Sequence, residues 1–218
     1  MEREPAMTIE TPQAETPSPS PLRRARLWLW VLVAIAAVAA AVLWLQQRNT
    51  APTAAEKNYA TAFGGTFDMI DQNGKTVTDQ TLRGKPYAIF FGFTRCPDVC
   101  PTTLSRMAAL RKQLGTDGDK FNIVFVSVDP QYDKPKDLGS YVTLFNTPII
   151  GLTGTDTQIA RIVKAFKVYY AKVPVEGGDY TIDHTASVFL MDKDGQFVAT
   201  IDHKESQKTA LDKLRRLI

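Results

Sequence analysis

Residues Tyr87 to Phe93 read Tyr-Ala-Ile-Phe-Phe-Gly-Phe, with no charged side chain. This run constrains the fold more than any other segment. A strand with one wet face alternates apolar and polar residues, and this one does not. It is also too short for a core helix. An unbroken run of this length predicts a strand buried on both faces, in the middle of a largely parallel sheet covered by helices. Phe121 to Val128 (Phe-Asn-Ile-Val-Phe-Val-Ser-Val) is a second strand of the same kind.

The segments around these two strands fall into place by period and punctuation. Phe67–Ile70 and Lys75–Thr78 flank Asp71-Gln72-Asn73-Gly74, and Ser187–Met191 and Phe197–Ile201 flank Asp192-Lys193-Asp194-Gly195. Asn-Gly or Asp-Gly between two apolar runs signals a hairpin. Pro101 to Leu114 places Leu104, Met107, Ala108, Leu110 and Leu114 at helical spacing, which predicts an amphipathic helix. A short helical region follows Pro135. Ile159, Ile162, Val163 and Phe166 form one face of a helix over Thr155–Tyr169, and Leu211, Leu214 and Leu217 stripe a last helix over Ser206–Ile218. The order is hairpin, strand, helix, strand, helix, helix, hairpin, helix. That predicts an α/β, thioredoxin-like domain over residues 59–218, with no internal repeats.

The preceding residues have a different character. Residues 1–26 contain five prolines and a cluster of arginines, which predicts a disordered tail. Residues 27–45 carry no charge and are rich in Ala, Val, Leu and Trp. As a helix they span roughly 28 Å, close to the hydrocarbon thickness of a bilayer. Trp28, Trp30 and Trp44 lie near the two ends, where indoles favour the interface. The run is longer than the apolar region of a cleaved signal peptide, so a transmembrane anchor is expected. Arg23, Arg24 and Arg26 precede it, and the positive-inside rule puts the tail in the cytoplasm and the domain outside. Residues 46–58 form a polar linker. The net charge of +3 owes much to these arginines, and no basic stripe interleaved with aromatics suggests nucleic acid.

The chain has two cysteines, Cys96 and Cys100, in Phe91-Gly92-Phe93-Thr94-Arg95-Cys96-Pro97-Asp98-Val99-Cys100-Pro101. They follow directly on the buried strand, at the carboxyl end where open α/β sheets place their chemistry. Spaced four apart, they fit one face of a helical turn, and a helix N-terminus favours the thiolate. Two such thiols form a disulfide, attack one, or hold a soft metal ion. Three intervening residues, one more than in the usual redox pair, leave room for an ion. His184 lies just before the strand Ser187–Met191, behind the Gly-rich loop 175–179, in a position that faces the cysteines in a thioredoxin-like sheet. His203, among Asp202, Lys204 and Glu205, reads as solvated. The Thr185-Ala186-Ser187 stretch has no proline where general disulfide exchangers carry one beside the cysteines.

These residues resemble a known family. The stretch ending Cys96-Pro97-Asp98-Val99-Cys100-Pro101 looks like the signature of the Sco/SenC copper chaperones for cytochrome c oxidase. Val126-Ser127-Val128-Asp129-Pro130, Gly151-Leu152-Thr153-Gly154, and Asp183-His184-Thr185 with Leu190-Met191-Asp192 are similar to its further blocks. The resemblance implies one copper ion, Cu(I) and in some states Cu(II), held by Cys96, Cys100 and His184. It implies delivery to the dinuclear CuA centre of cytochrome c oxidase subunit II, with a second periplasmic copper-binding protein and a thiol reductant as further partners. Arg95 stands where many members have histidine, and its charge is expected to lower the thiolate pKa or tune the redox potential. Asp98 and Asp129 fit acidic positions of the family.

Two functions of different class remain. One is a metallochaperone. The other is a thiol:disulfide oxidoreductase in which Cys96 and Cys100 are the redox dithiol that reduces the CuA cysteines. A stapling disulfide is the blander reading, although staples generally close longer loops. The absence of an Arg- and Ser-rich transit segment favours a bacterial inner membrane with the domain in the periplasm.

Overall fold

The computed structural model describes residues 21–48 and 60–218. Residues 1–20 of the expected tail and 49–58 of the expected linker lie outside the described residues, whereas residues 21–26 and 46–48, expected as tail and linker, are helical. The chain divides into two compact units, residues 1–51 and 52–218.

In the first unit, α1 runs from Pro21 to Arg48. Its stretch Arg26–Leu45, 20 residues, is long and apolar enough to cross a membrane, and its side chains are exposed.

The second unit is built on a seven-stranded sheet of order β2-β1-β5-β4-β3-β8-β9. Its strands are β1 (Asp68–Asp71), β2 (Thr76–Thr78), β3 (Tyr87–Gly92), β4 (Asn122–Ser127), β5 (Ile149–Thr153), β8 (Val188–Met191) and β9 (Phe197–Ile201). The central trio β3, β4 and β5 is parallel, and the strands outside it join antiparallel. Every residue of β3 is buried, as its unbroken apolar sequence requires. The helices are α2 (Val99–Gln113), α3 (Pro135–Val142), α4 (Asp156–Phe166) and α5 (Gln207–Leu217). This is the α/β thioredoxin-like architecture expected from the element order.

Both expected hairpins form, by one device. Asp71 Oδ1 accepts from the backbone N–H of Asn73 and Lys75 at 2.8 Å each. Asp192 Oδ1 accepts from those of Asp194 and Gln196 at 2.9 and 2.8 Å. Gly74 and Gly195 supply the positive φ, 78° and 76°, that closes each turn. Helix starts are also encoded locally. Thr155 and Gln158 form a capping box at α4, and Ser206 caps α5.

Three strands depart from expectation. β5 was not anticipated. Nor was a separate two-stranded sheet, β6 (Tyr170–Pro174) paired antiparallel with β7 (Tyr180–His184). His184 is therefore the last residue of its own strand, opposite Tyr170. Gly177 and Gly178, with φ of 90° and 85°, form the turn at the far tip of this hairpin, not a loop adjoining the histidine. Among the described residues, β6–β7 shares no strand pairing with the main sheet. It docks through side chains, chiefly the buried Ile182.

Candidate metal centre

Gly92 ends β3, and the chain crosses Phe93–Asp98 before α2 begins at Val99. The helix starts two residues earlier than its apolar periodicity suggests. Pro101 is accommodated in the first turn, where an N–H has no helical partner. Cys100 lies inside that turn and Cys96 lies before it. The two sulfurs meet because the chain bends between them, not because both ride on one helical face. The Cys100 backbone N–H points at Cys96 Sγ at 3.4 Å.

The bend is pinned from beneath by a carboxylate. Asp133, buried, accepts from Thr94 N–H at 3.0 Å, Thr94 Oγ1 at 2.5 Å and Ser127 Oγ at 2.6 Å. These bonds tie the start of the cysteine loop to the end of β4. Beneath the sulfurs, Gly92 is required by space. A Cβ there would lie 2.5 Å from Cys100 Sγ and 3.0 Å from Phe125 Cε2.

His184 closes the site from the hairpin. Its Nε2 lies 3.4 Å from Cys100 Sγ, and its Nδ1 lies 3.0 Å from the Thr185 carbonyl. A carbonyl accepts only a donor, so Nδ1 carries the proton and Nε2 turns its lone pair to the sulfurs. Phe90 and Phe93 hold the ring edge-on at 5.9 and 6.0 Å between centroids. The two Sγ atoms and a ring nitrogen of His184 all lie within 4.8 Å of one another. A metal–sulfur bond of about 2.3 Å sets ligand atoms at most about 4.6 Å apart, so a shift of some tenths of an ångström closes these three on one ion.

The two thiols are unequal. Cys96 is half-buried and Cys100 is fully buried. The Cys100 thiol, which donates to it, and the backbone N–H groups of Cys100 and Asp98 hold the Cys96 thiol down to about 3, against the effect of burial. Cys100 is pushed up by its hydrogen bond to Cys96, by burial and by the charge on Cys96. The metal-free pair thus carries one negative charge, on the more accessible sulfur. The expected contribution of Arg95 is not among the causes. Its guanidinium turns away to Asp129 at 3.2 Å and Asp179 at 2.9 Å.

The other residues singled out in the sequence take structural places. Asp98 accepts from Thr102 Oγ1 at 3.1 Å across the first turn of α2. Asp129 is fully buried between Arg95 and the Tyr180 hydroxyl. His203 is not solvated: it is half-buried, with Nδ1 3.4 Å from Thr103 Oγ1, and its carbonyl accepts from Arg106. Sequence reasoning missed Gly92, Asp133 and Tyr141. A glycine inside an apolar strand is a signal of close approach, so Gly92 was findable. Tyr141, whose buried hydroxyl lacks a hydrogen-bond partner, has its pKa raised chiefly by burial, with the negative charges of the dithiol and Asp133 adding to it.

A thioredoxin-like domain that gathers a dithiol and an oriented imidazole beside its central strand presents the donor set of a soft-metal-binding protein. The chain belongs to the SCO1/SenC family, which it matches over residues 55–218. It is 37% identical over 160 residues to the mitochondrial protein SCO2 of Saccharomyces cerevisiae, covering 72% of this chain and 53% of that protein. The chain thus spans about half the length of that relative. A SCO2-like protein of Rickettsia felis is 36% identical over 154 residues, covering 70% of this chain and 75% of the relative. Among solved structures, Bradyrhizobium japonicum ScoI with copper bound superposes with a TM-score of 0.67 at 46% identity, over 72% of this chain and 99% of that one.

Two predictions follow from the geometry. An ordinary thiol loses alkylation rate tenfold per pH unit below about 8.5. Cys96, whose folded pKa is depressed to about 3, keeps its thiolate and its rate with iodoacetamide down to about pH 4, while Cys100 stays unlabelled; mass spectrometry of peptides from a pH series checks both. Gly92→Ala costs about 1–3 kcal/mol through overpacking, read from urea unfolding. Adding Cys100→Ala removes the clashing sulfur, so the double variant is destabilised by less than the sum of the two singles.

Proposed function

We propose that this chain is a membrane-anchored metallochaperone that binds one copper ion through Cys96, Cys100 and His184 and delivers it to the CuA site of cytochrome c oxidase subunit II. The observation that carries this reading is the convergence of two sulfurs and an imidazole lone pair within 4.8 Å. Two thiolates and an imidazole suit Cu(I), whereas a structural zinc site takes four protein ligands. Among the described residues the cluster holds three. The copper-bound relative at 46% identity supports the choice of metal, and membership of the SCO1/SenC family supports the oxidase as recipient.

In this reading residues 1–26 lie in the cytoplasm, 27–45 anchor the chain in the bacterial inner membrane, 46–58 form the tether, and 59–218 work in the periplasm. Copper arrives from another periplasmic copper-binding protein and leaves by exchange of ligands. Cys96, accessible and charged, is the first to meet an incoming ion or a competing ligand. Binding then displaces the Cys100 proton, which the sulfur sheds to reach the metal.

The inequality of the thiols favours a second reading, a thiol:disulfide oxidoreductase. The Cys96 thiolate attacks a partner disulfide and releases one partner thiolate, forming a mixed disulfide. Cys100 then gives its proton to the partner thiolate just released, and its sulfur displaces the second partner thiolate. The partner is reduced, a Cys96–Cys100 disulfide forms, and a thiol reductant restores the dithiol. One dithiol serves both roles in different turns.

Anaerobic Cu(I) competition titration of the full chain in detergent micelles separates them. The metallochaperone reading expects one tight equivalent, lost in the Cys96→Ser/Cys100→Ser variant and weakened at least about tenfold, or about 1.4 kcal/mol, in His184→Ala. Absence of tight binding with both thiols free, together with reduction of an oxidised CuA-site peptide at equal rate by His184→Ala, overturns it in favour of the reductase.

A further inference from the structure

The hairpin that carries His184 is fastened to the cysteine loop at a second point. Arg95, the residue before Cys96, reaches across to the opposite end of β7. Its Nη1 donates to Asp179 at 2.9 Å, in the hairpin turn, and its Nη2 to Asp129 at 3.2 Å, after β4. Its guanidinium stacks 3.8 Å from the Tyr132 ring centroid and 5.1 Å from that of Tyr180. Tyr180, the first residue of β7, donates its hydroxyl to the other oxygen of Asp129 at 2.7 Å. Lys172 of β6 covers the Tyr180 ring at 4.2 Å.

The placement matters because of strand geometry. Tyr180, Ile182 and His184 alternate onto one face of β7, and Tyr180 and His184 are about 13 Å apart at about 3.3 Å per residue. A lone two-stranded hairpin is marginal in water, so this one depends on its docking. Ile182 holds its middle and the aromatic pocket of Phe90 and Phe93 holds its His184 end. The Arg95 cluster holds its tip.

We propose that Arg95 is a positioning residue for His184: it latches the tip of the β6–β7 hairpin to the cysteine loop and thereby sets how readily the imidazole leaves the sulfurs. The proposal rests on the copper reading for its consequence, namely that the latch governs the rate of copper release. The latch has an inner and an outer half. Asp129 is wholly buried, whereas the Asp179 side chain is 51% exposed. The outer ion pair is open to screening and the inner one is not.

The test uses the full chain in detergent micelles with Arg95→Ala, Asp179→Ala, the two combined, and His184→Ala. In the metal-free protein, Arg95→Ala is expected to speed amide exchange across residues 170–184 at least tenfold, with amides of β3 and β4 unchanged. In the Cu(I)-loaded protein, release to excess bicinchoninate is expected to quicken at least fivefold in Arg95→Ala and in Asp179→Ala, with no further gain when they are combined. Raising salt from about 0.05 M to about 0.5 M quickens release from the parent chain and not from Arg95→Ala. Unchanged hairpin exchange in both single variants overturns the latch. So does unchanged release in both while His184→Ala releases faster. Unchanged release in His184→Ala itself overturns the three-ligand copper reading instead, and leaves the latch to stand or fall on the exchange data. Should Arg95→Ala loosen β3 and β4 as well, Asp179→Ala, at a half-exposed carboxylate, decides the matter by the same readouts.

Discussion

The site depends on one contact across a seam. Cys100 Sγ and His184 Nε2 meet at 3.4 Å, yet they belong to parts of the domain that share no strand pairing among the described residues. On one side is the most deeply buried part of the sheet, with β3 feeding α2 and Asp133 clamping the bend between them. On the other is a small hairpin resting on side chains. Each side shapes its own donor. The sheet side fixes the sulfurs by packing, to the point that Gly92 has no room for a methyl group. The hairpin side fixes the imidazole by one carbonyl and two aromatic rings.

This division leaves one site firmly built on one side and more easily opened on the other. A soft ion held by two sulfurs on a rigid floor needs little further ordering, which keeps the cost of binding low. The third donor sits on the element with the fewest backbone ties to the rest, and such elements open at lower free energy than central strands. The charge distribution follows the same asymmetry. The negative charge sits on Cys96 at the mouth, and the proton on Cys100 below it. An incoming cation meets the charged sulfur first.

Much of the fold was legible because its signals are local. The unbroken apolar run of β3 and the Asp-x-x-Gly turns of both main-sheet hairpins are written in neighbouring residues, as are the leucine stripes of α2 and α5. The rest fails for identifiable reasons. β5 is five residues long with a central glycine, too short to declare a period. β6 reads Tyr-Ala-Lys-Val-Pro and is exposed over its last three residues, so it lacks the alternation that marks a strand. The bends and clamps that shape the site are not local at all. Asp133 acts 39 residues from Thr94, and Arg95 finds Asp179 84 residues away. From the sequence, Arg95 read as a charge tuning its neighbour Cys96. Its tertiary partners turn it elsewhere.

The same span of 84 residues separates Cys100 from His184, and it bears on how the chain assembles. The dithiol comes early and its geometry is set by a strand and the helix that follows. The imidazole lies beyond two further sheet strands and two helices, at the end of the β6–β7 hairpin. Closing so long a loop costs more entropy than forming a local contact. An unfolded chain therefore offers a metal two thiols but not the third donor in register. Whatever ion all three residues hold binds the native state in preference and stabilises it by mass action, so that the bound ion acts as a further fastening of the fold.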